Sequence, residues 1–475
     1  MVKRKAWQSG ALVLMCAAMT ACSGGKTDDG AGEAPPVSED APAADGRTAV
    51  TMSVLTKDRF LTEAEQKFEA ANPDIDVQIE EIVPADTSGG DKMMIRKGPG
   101  TEEGPKKEDV DKYASSVNTA IMSGNAADII SVEYLPVGKY ADKGLLADWN
   151  ALVGADASFN KSEYYENVFA AVSNGGGWYG IPTSFSLSAM LGDLSLLEQN
   201  GLDEKTWTWD QFVELIEQTS TDGKFGIAAM EPEALLGYLA ESLYGQLVKK
   251  DGDAAAFDAG LFQTYMEKIK HLYDGGFATK EMMGPANASF RQAGMASPMD
   301  AAIMPQAGGG EPQDMIRPPG TGEDEGIPFK SGQVLGLNAK SEVKDAAWSF
   351  VKFLLSEEMQ SSRALMNFPV NKAALGNKLT ETKEMLANSG SGGGEGKGPS
   401  IMLRNKDGET ITPTLTDEDV EKIKSLMPSV GKYSNQDPKV MSMIAEESAA
   451  YFSGSKSAEA VAGTLASRIN TYLNE

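Results

Sequence analysis

One histidine and two cysteines are the only imidazole and thiol groups of the 475-residue chain. His271, in "YMEKIKHLYDGG", shares a helical pattern with Tyr265, Ile269 and Leu272, which puts it on a helix surface. A His-dependent triad or a His-rich metal site would need partners that are absent. Cys16 and Cys22 both precede the body of the chain, so no disulfide framework or Cys-based metal site forms within it. G-x-S-x-G, H-E-x-x-H, the Walker A pattern and a G-x-G-x-x-G after a strand are all missing. The 69 acidic residues always allow a glycosidase-like carboxylate pair to be imagined, but no spacing selects two of them. Nothing in the chain implies a cofactor, and binding chemistry remains. Trp149, Trp178, Trp207, Trp209 and Trp348 have flat faces that can stack on sugar rings. Trp348 lies in a helical pattern and reads as core, and Trp209 follows a helix cap and packs beneath it. Trp178, beside the turn "NGGG", reads as the ligand-facing one. The 23 methionines, with the pairs Met93-Met94 and Met282-Met283, read as packing filler.

The elements that must hold these residues are legible in outline. "TAVTMSVLT" (48–56) reads as a buried strand, and "TEAEQKFEAANPD" as a helix capped by Thr62 and stopped at Asn72-Pro73. "IDVQIEEI" alternates as a second strand. Residues 84–110 are charged and non-periodic, a surface excursion. The helix "VDKYASSVNTAIMSG" then leads to a third buried strand, "ADIISV". "WYGIPTSFSLSAMLGD" is extended around Pro182. Thr208 with Gln211 makes a capping box for "WDQFVELIEQTS". Helices follow in "PEALLGYLAESLYGQLV", "AGLFQTYMEKIKHLYDGG", "EVKDAAWSFVKFLLSEEMQ" and "KSAEAVAGTLASRINTYLNE", with a Gly-rich loop at 389–399. Strands alternating with helices predict α/β lobes, and the length predicts two or more domains. The formal net charge of −26 repels phosphate backbones and anionic lipid surfaces, which argues against nucleic acid as a partner and against polybasic membrane docking.

The amino terminus carries a different signal. Lys3, Arg4 and Lys5 precede "GALVLMCAAMT", a stretch of signal-peptide length that is too short for a permanent span. Met19-Thr20-Ala21-Cys22 resembles the lipobox of bacterial lipoproteins, whereas Cys16, preceded by Met15, fits that pattern less well. The resemblance implies a lipoprotein signal peptide over 1–21 and a diacylglycerol on Cys22. An ordinary secretory signal with an incidental cysteine is the alternative. Residues 22–47, rich in Gly, Ala, Pro, Ser and Asp, cannot bury enough surface to fold and predict a solvated tether.

"EQKFEAANPDIDVQI", "SGNAADII", "YADKGLLADWN", "GGGWYGIPTSFSLSAMLGDLSLLEQNGL", "TWTWDQF", "KDAAWSFVKFLLSEEMQ", "FPVNKAAL" and "AEESAAYFSGSKSAEAVAGTLASRINTYL" occur in this order from about residue 50 to the end. Together they resemble the extracellular solute-binding proteins of carbohydrate-uptake ABC transporters, the group that includes maltose-binding protein. The resemblance implies a two-lobed, periplasmic-binding-protein-like α/β fold of type II, with three hinge crossings at Pro182, Pro318-Pro319 and Pro369. That divides the chain into a first lobe of 48–181 plus 318–366 and a second of 182–317 plus 367–475.

It also implies a binding site. Lys57-Asp58-Arg59 occupies the loop that commonly supplies charged contacts, and Glu231-Pro232 and Ser186 fall where maltodextrin-binding relatives place ligand-bonding groups. Where those relatives carry a Trp and an Asp-Arg pair, this chain has Val132 and Leu135-Pro136, which argues against maltodextrin. Asp58, Arg59, Tyr134, Trp178, Ser186, Glu231 and Gln306 are the candidate ligand-binding residues, offering polar groups for hydroxyls and aromatic faces for sugar C–H bonds. The implied protein is not an enzyme. It is a monomer, lipid-anchored on the outer face of a Gram-positive cytoplasmic membrane, that delivers a sugar to ABC permease subunits. A ligand-presenting partner of a membrane kinase and a receptor for a non-sugar solute stand as alternatives.

Overall fold

Val50, Met52 and Val54 alternate along the strand β1 (Thr48–Val54) and bury one side of it, as a period of two requires. The structure, a computed structural model, describes residues 46–84, 105–221, 223–251, 254–281, 287–307, 313–389, 403–404, 410–434 and 436–474. The signal segment, Cys22, the tether before Gly46, most of the 84–110 excursion, Met282-Met283 and most of the 389–399 loop lie outside the described residues. Helix α1 (Arg59–Ala71) follows β1 and buries Phe60, Leu61, Ala64 and Phe68. Its N-cap is Asp58 rather than Thr62, because the Asp58 carboxylate accepts the Leu61 N–H at 2.8 Å. The Thr62 hydroxyl instead donates to the Asp58 carbonyl, inside the first turn. Replacing Asp58 by Ala is expected to cost about 1 kcal/mol in denaturant unfolding, with Asn recovering most of it.

Strand β2 (Ile75–Glu81) pairs parallel with β1, and helix α2 (Lys107–Ser123) ends at Gly124, whose left-handed φ of 84° suits a residue without a side chain. Strand β3 (Ile129–Ser131) lies parallel on the other side of β1. The strand Val334–Asn338, from late in the chain, comes next in antiparallel register and separates β3 from β4 (Leu146–Ala147). The short strand β5 (Ile181–Pro182) also pairs with Val334–Asn338 and completes the first sheet.

The second sheet is built around β6 (Ser184–Gly192). Ala288–Met295 runs along one edge of it, and Phe368–Pro369, Ile327–Lys330 and Asp314–Ile316 meet it in succession along its length. Val430–Tyr433 and Phe225–Ile227 close the order at its two sides. Thr208 and Gln211 form the expected capping box at the helix Trp209–Thr219. The predicted helix 342–360 divides into Lys344–Leu354 and Glu357–Gln360, because the Ser356 side chain caps a new start by accepting the Met359 N–H.

The chain therefore passes between sheets three times. Thr183 makes the first crossing, Ser331-Gly332-Gln333 the second, and residues 361–367 the third. The second crossing is not at Pro318-Pro319. Those prolines lie between two strands that both pair with β6, and second-lobe side chains pin the loop: the Trp207 indole N–H donates to the Arg317 carbonyl and the Ser242 hydroxyl to the Pro319 carbonyl. Residues 318–330 thus belong to the second lobe, which corrects the boundary drawn from sequence. Beneath the crossings Phe185 stacks on Phe368, with centroids 5.6 Å apart, and meets Phe329 edge-on at 6.0 Å. The lobes also touch away from the hinge. Lys107 of α2 pairs with Glu446, and the Lys139 ammonium lies 5.3 Å over the Tyr472 ring.

Candidate ligand-binding cleft

A cavity of about 660 Å³ opens where the carboxyl ends of β1 and β3 face the hinge crossings. In an open α/β sheet this is where strand order leaves a crevice, and the size falls in the range for small-molecule sites, about 300–1,000 Å³. Thr56, Asp58 and Arg59 enter it from the end of β1, and Ser131, Glu133 and Tyr134 from the end of β3. The crossings add Thr183 and Ser184, Gly332 and Gln333, and the run from Arg363 to Asn367.

Glu133 is the least solvated ionisable group in this wall, with 8% of its surface exposed. Its Oε2 accepts the Ser131 hydroxyl at 2.7 Å and the Val334 N–H at 3.3 Å. Burial pushes its carboxyl up to about 7, against the opposing pull of those hydrogen bonds. Burial, helped by the charge of Glu133, also raises the Tyr134 phenol. Asp58 is open to the water of the cleft yet has protein on several sides. That partial burial raises its pKa despite the N–H groups of Leu61 and Phe60, which favour the charged form. Arg59 is exposed and has no ion-pair partner among the described residues, leaving its guanidinium free for a ligand.

The third crossing is held as firmly as it is placed. The Lys378 ammonium donates to the carbonyls of Ser362 and Leu365, both at 2.8 Å, and its burial draws its pKa down to about 8. The Ser362 hydroxyl donates to Glu63 of α1 at 2.8 Å. This frame presents Met366, 62% exposed, at the cavity wall, an apolar surface of the kind that covers a sugar's C–H face.

The structure brings three of the seven candidate binding residues into the cavity: Asp58, Arg59 and Tyr134. Trp178 is not among its lining residues. Its ring stacks on Phe169 at 5.2 Å and has the Lys161 ammonium 4.4 Å over it, so its π face is engaged by protein partners. Gln306 is likewise committed elsewhere, its amide donating to the carbonyls of Ala302 and Thr414 and accepting the Thr414 N–H. Ser186 sits on β6 opposite Lys330, two residues beyond the lining residue Ser184, and Glu231 is the exposed N-cap of the helix Pro232–Ser242; neither lines the cavity. Lys57 of the same charged loop turns to Glu65 at 2.5 Å.

Glu133, Gln333, Met366 and Asn367 escaped the sequence reasoning. Glu133 had a usable signal, a carboxylate directly after a buried strand and beside Tyr134. The others depend on where the crossings run. Val132 and Leu135 are core residues here. His271 is on a helix surface, 3.4 Å from Glu217, and no cluster of metal-ligating side chains occurs among the described residues. No helix among them is long and apolar enough to cross a membrane.

Solved structures share this architecture. A family 1 extracellular solute-binding protein from Alicyclobacillus acidocaldarius is 17% identical, with 90% of this chain and 99% of that one covered and a TM-score of 0.53. The sugar-binding protein MalE of Xanthomonas citri is 14% identical, with 90% and 97% covered and a TM-score of 0.54. An ABC substrate-binding protein from Listeria monocytogenes, solved with cycloalternan, is 16% identical, with 90% and 99% covered and a TM-score of 0.53. At such identities the likeness speaks for the fold. The sequence speaks for the family, because residues 53–361 match the model of the bacterial extracellular solute-binding proteins. Since that match runs from β1 through two of the three crossings to the helix Glu357–Gln360, the chain belongs to the bacterial extracellular solute-binding protein family, whose role is to bind rather than to transform.

Proposed function

We propose that this protein captures a sugar or short oligosaccharide in the hinge cavity and hands it to the permease subunits of an ABC transporter. One observation carries the reading: the cavity combines charged and polar groups, Asp58, Arg59, Glu133, Tyr134 and Asn367, with the exposed apolar side chain of Met366. Carboxylates, amides and guanidinium groups suit vicinal hydroxyls, and the apolar wall suits the ring's C–H side. The sugar-binding MalE of Xanthomonas citri and the cycloalternan-bound Listeria protein, which share the fold, support a carbohydrate ligand. Cys22, following Met19-Thr20-Ala21, is the proposed lipidation site, holding a monomeric receptor on the outer face of a Gram-positive membrane.

A thermal-shift screen of the purified protein against sugars, peptides and polyamines tests the ligand class. A sugar at 100 times its Kd should stabilise the fold by about 2.7 kcal/mol, and Arg59→Ala should abolish most of that shift. Stabilisation by peptides or polyamines alone would overturn the carbohydrate reading. For the anchor, detergent-phase partitioning of the cell-expressed protein should be lost in Cys22→Ala.

A further inference from the structure

Glu133 does more than line the cavity, because its second hydrogen bond reaches the hinge. Val334 is the first residue after the Ser331-Gly332-Gln333 crossing, and it is held at both ends. Its N–H donates to Glu133 Oε2 at 3.3 Å, and its carbonyl accepts the Val132 N–H at 2.7 Å. The crossing is in turn zipped to its neighbour. Thr183 N–H donates to the Gln333 carbonyl at 3.1 Å, and the Ser331 hydroxyl bonds the carbonyls of Ser184 and Gln333, both at 2.8 Å. Two of the three crossings thus lead to one carboxylate.

No ammonium or guanidinium pairs with that carboxylate among the described residues. Tyr113 from α2 and Tyr134 beside it in the chain feel its charge, and the same cavity is lined by Asp58 and Arg59 from the start of α1 and by Arg363 from the third crossing. Tyr113 is occupied by the carbonyls of Ser53 and Ser131, and Arg363 by Glu381. Among the described residues the charge of Glu133 is held by hydrogen bonds from Ser131 and Val334 and by no ion pair.

We propose that Glu133 is the positioning residue that ties the second hinge crossing to the floor of the cleft, and that losing its proton there loosens the hinge. The ionised carboxylate accepts the Val334 N–H as a charge-assisted bond, but that gain does not offset the cost of a charge in the buried wall, so an opening that lets water reach the carboxylate is favoured once it ionises. On protonation that cost disappears, while Oε2 still accepts the Ser131 hydroxyl and the Val334 N–H as a neutral acceptor. Burial sets this exchange near neutral pH, where an exposed glutamate would long since have ionised. With the cavity read as a solute site, the consequence is a receptor that holds its solute less firmly as the pH rises above neutral. The effect on the hinge itself needs no ligand.

Hydrogen–deuterium exchange of the ligand-free full chain tests this, followed in peptides covering residues 331–335 from pH 5.5 to 8.5 and corrected for the intrinsic pH dependence of exchange. Protection should rise about fivefold on acidification, with a midpoint near pH 7, and Glu133→Gln should show no such step. Ser131→Ala keeps the carboxylate but removes a bond that favours its charge, so it should move the midpoint upward. That variant decides the matter if Glu133→Gln fails to fold. A flat wild-type profile, a step retained in Glu133→Gln, or an unmoved midpoint in Ser131→Ala would each overturn the proposal. Failure of every solute to bind would remove the solute reading and leave the hinge result standing. A flat profile would remove the hinge role even if a sugar binds.

Discussion

Phe185→Ala should lower the unfolding free energy by about 3–5 kcal/mol, seen as a lower denaturant midpoint at unchanged slope. Phe185 is 0% exposed, and its ring touches an aromatic from each direction: Phe368 stacked at 5.6 Å, Phe329 edge-on at 6.0 Å and Tyr165 at 6.3 Å. The truncation loses the transfer of the whole ring out of water and leaves a void among three rings, two of which, Phe329 and Phe368, strand pairing prevents from collapsing inward. Tyr165 comes from the first-lobe part of the chain, while Phe329 and Phe368 ride on strands paired to β6. The same substitution should therefore loosen the seam between the lobes. Phe185→Leu, which refills much of the space, should recover more than half of the loss.

Glu133→Gln should stabilise the protein at pH 8 and leave it nearly unchanged at pH 4. The folded state raises this carboxyl from its ordinary value of 4.5 to about 7. Below 4.5 the group is protonated whether the chain is folded or not, and its contribution is fully present. As pH rises through about 7 the unfolded chain has already ionised at no cost, while the folded chain must bury a charge, so the contribution is lost. The difference between the two values corresponds to about 3 kcal/mol, of which the neutral amide should recover the larger part. Thermal unfolding of the two proteins across pH 4–8 reads this directly. Parallel profiles would show that the buried carboxylate carries no such penalty.

Local signals reached the structure intact wherever the physics is local. The alternation of Val50, Met52 and Val54, the stop at Asn72-Pro73 and the pair Thr208 and Gln211 each act within a few residues, and each element stands where they put it. Even there a stronger neighbour can win. Thr62 is a sound cap by type, but Asp58 lies one turn earlier with its carboxylate aimed at a free N–H. The second crossing failed for a different reason. Pro318-Pro319 carries the same rigid extended backbone as Pro182, and only the pairing of Ile327–Lys330 with both β6 and Val430–Tyr433 decides on which side of the hinge it lies. Trp178 and Gln306 were chosen for chemistry that each possesses. Phe169 and Lys161 for the one, and Ala302 and Thr414 for the other, had already engaged that chemistry through contacts that residue type does not report.

The place of Val334–Asn338 between β3 and β4 governs the order in which this molecule can be assembled. A chain emerging amino end first brings out β1, β2 and β3 early, but the neighbour of β3 lies about 200 residues further on. Until it arrives, the edge of β3 is bare and the first sheet lacks the strand on which β4 and β5 depend. The first lobe therefore cannot close as it emerges, and must wait while the larger part of the second passes by. For a polypeptide that has to cross a membrane before it folds, that delay keeps the chain threadable for most of its length.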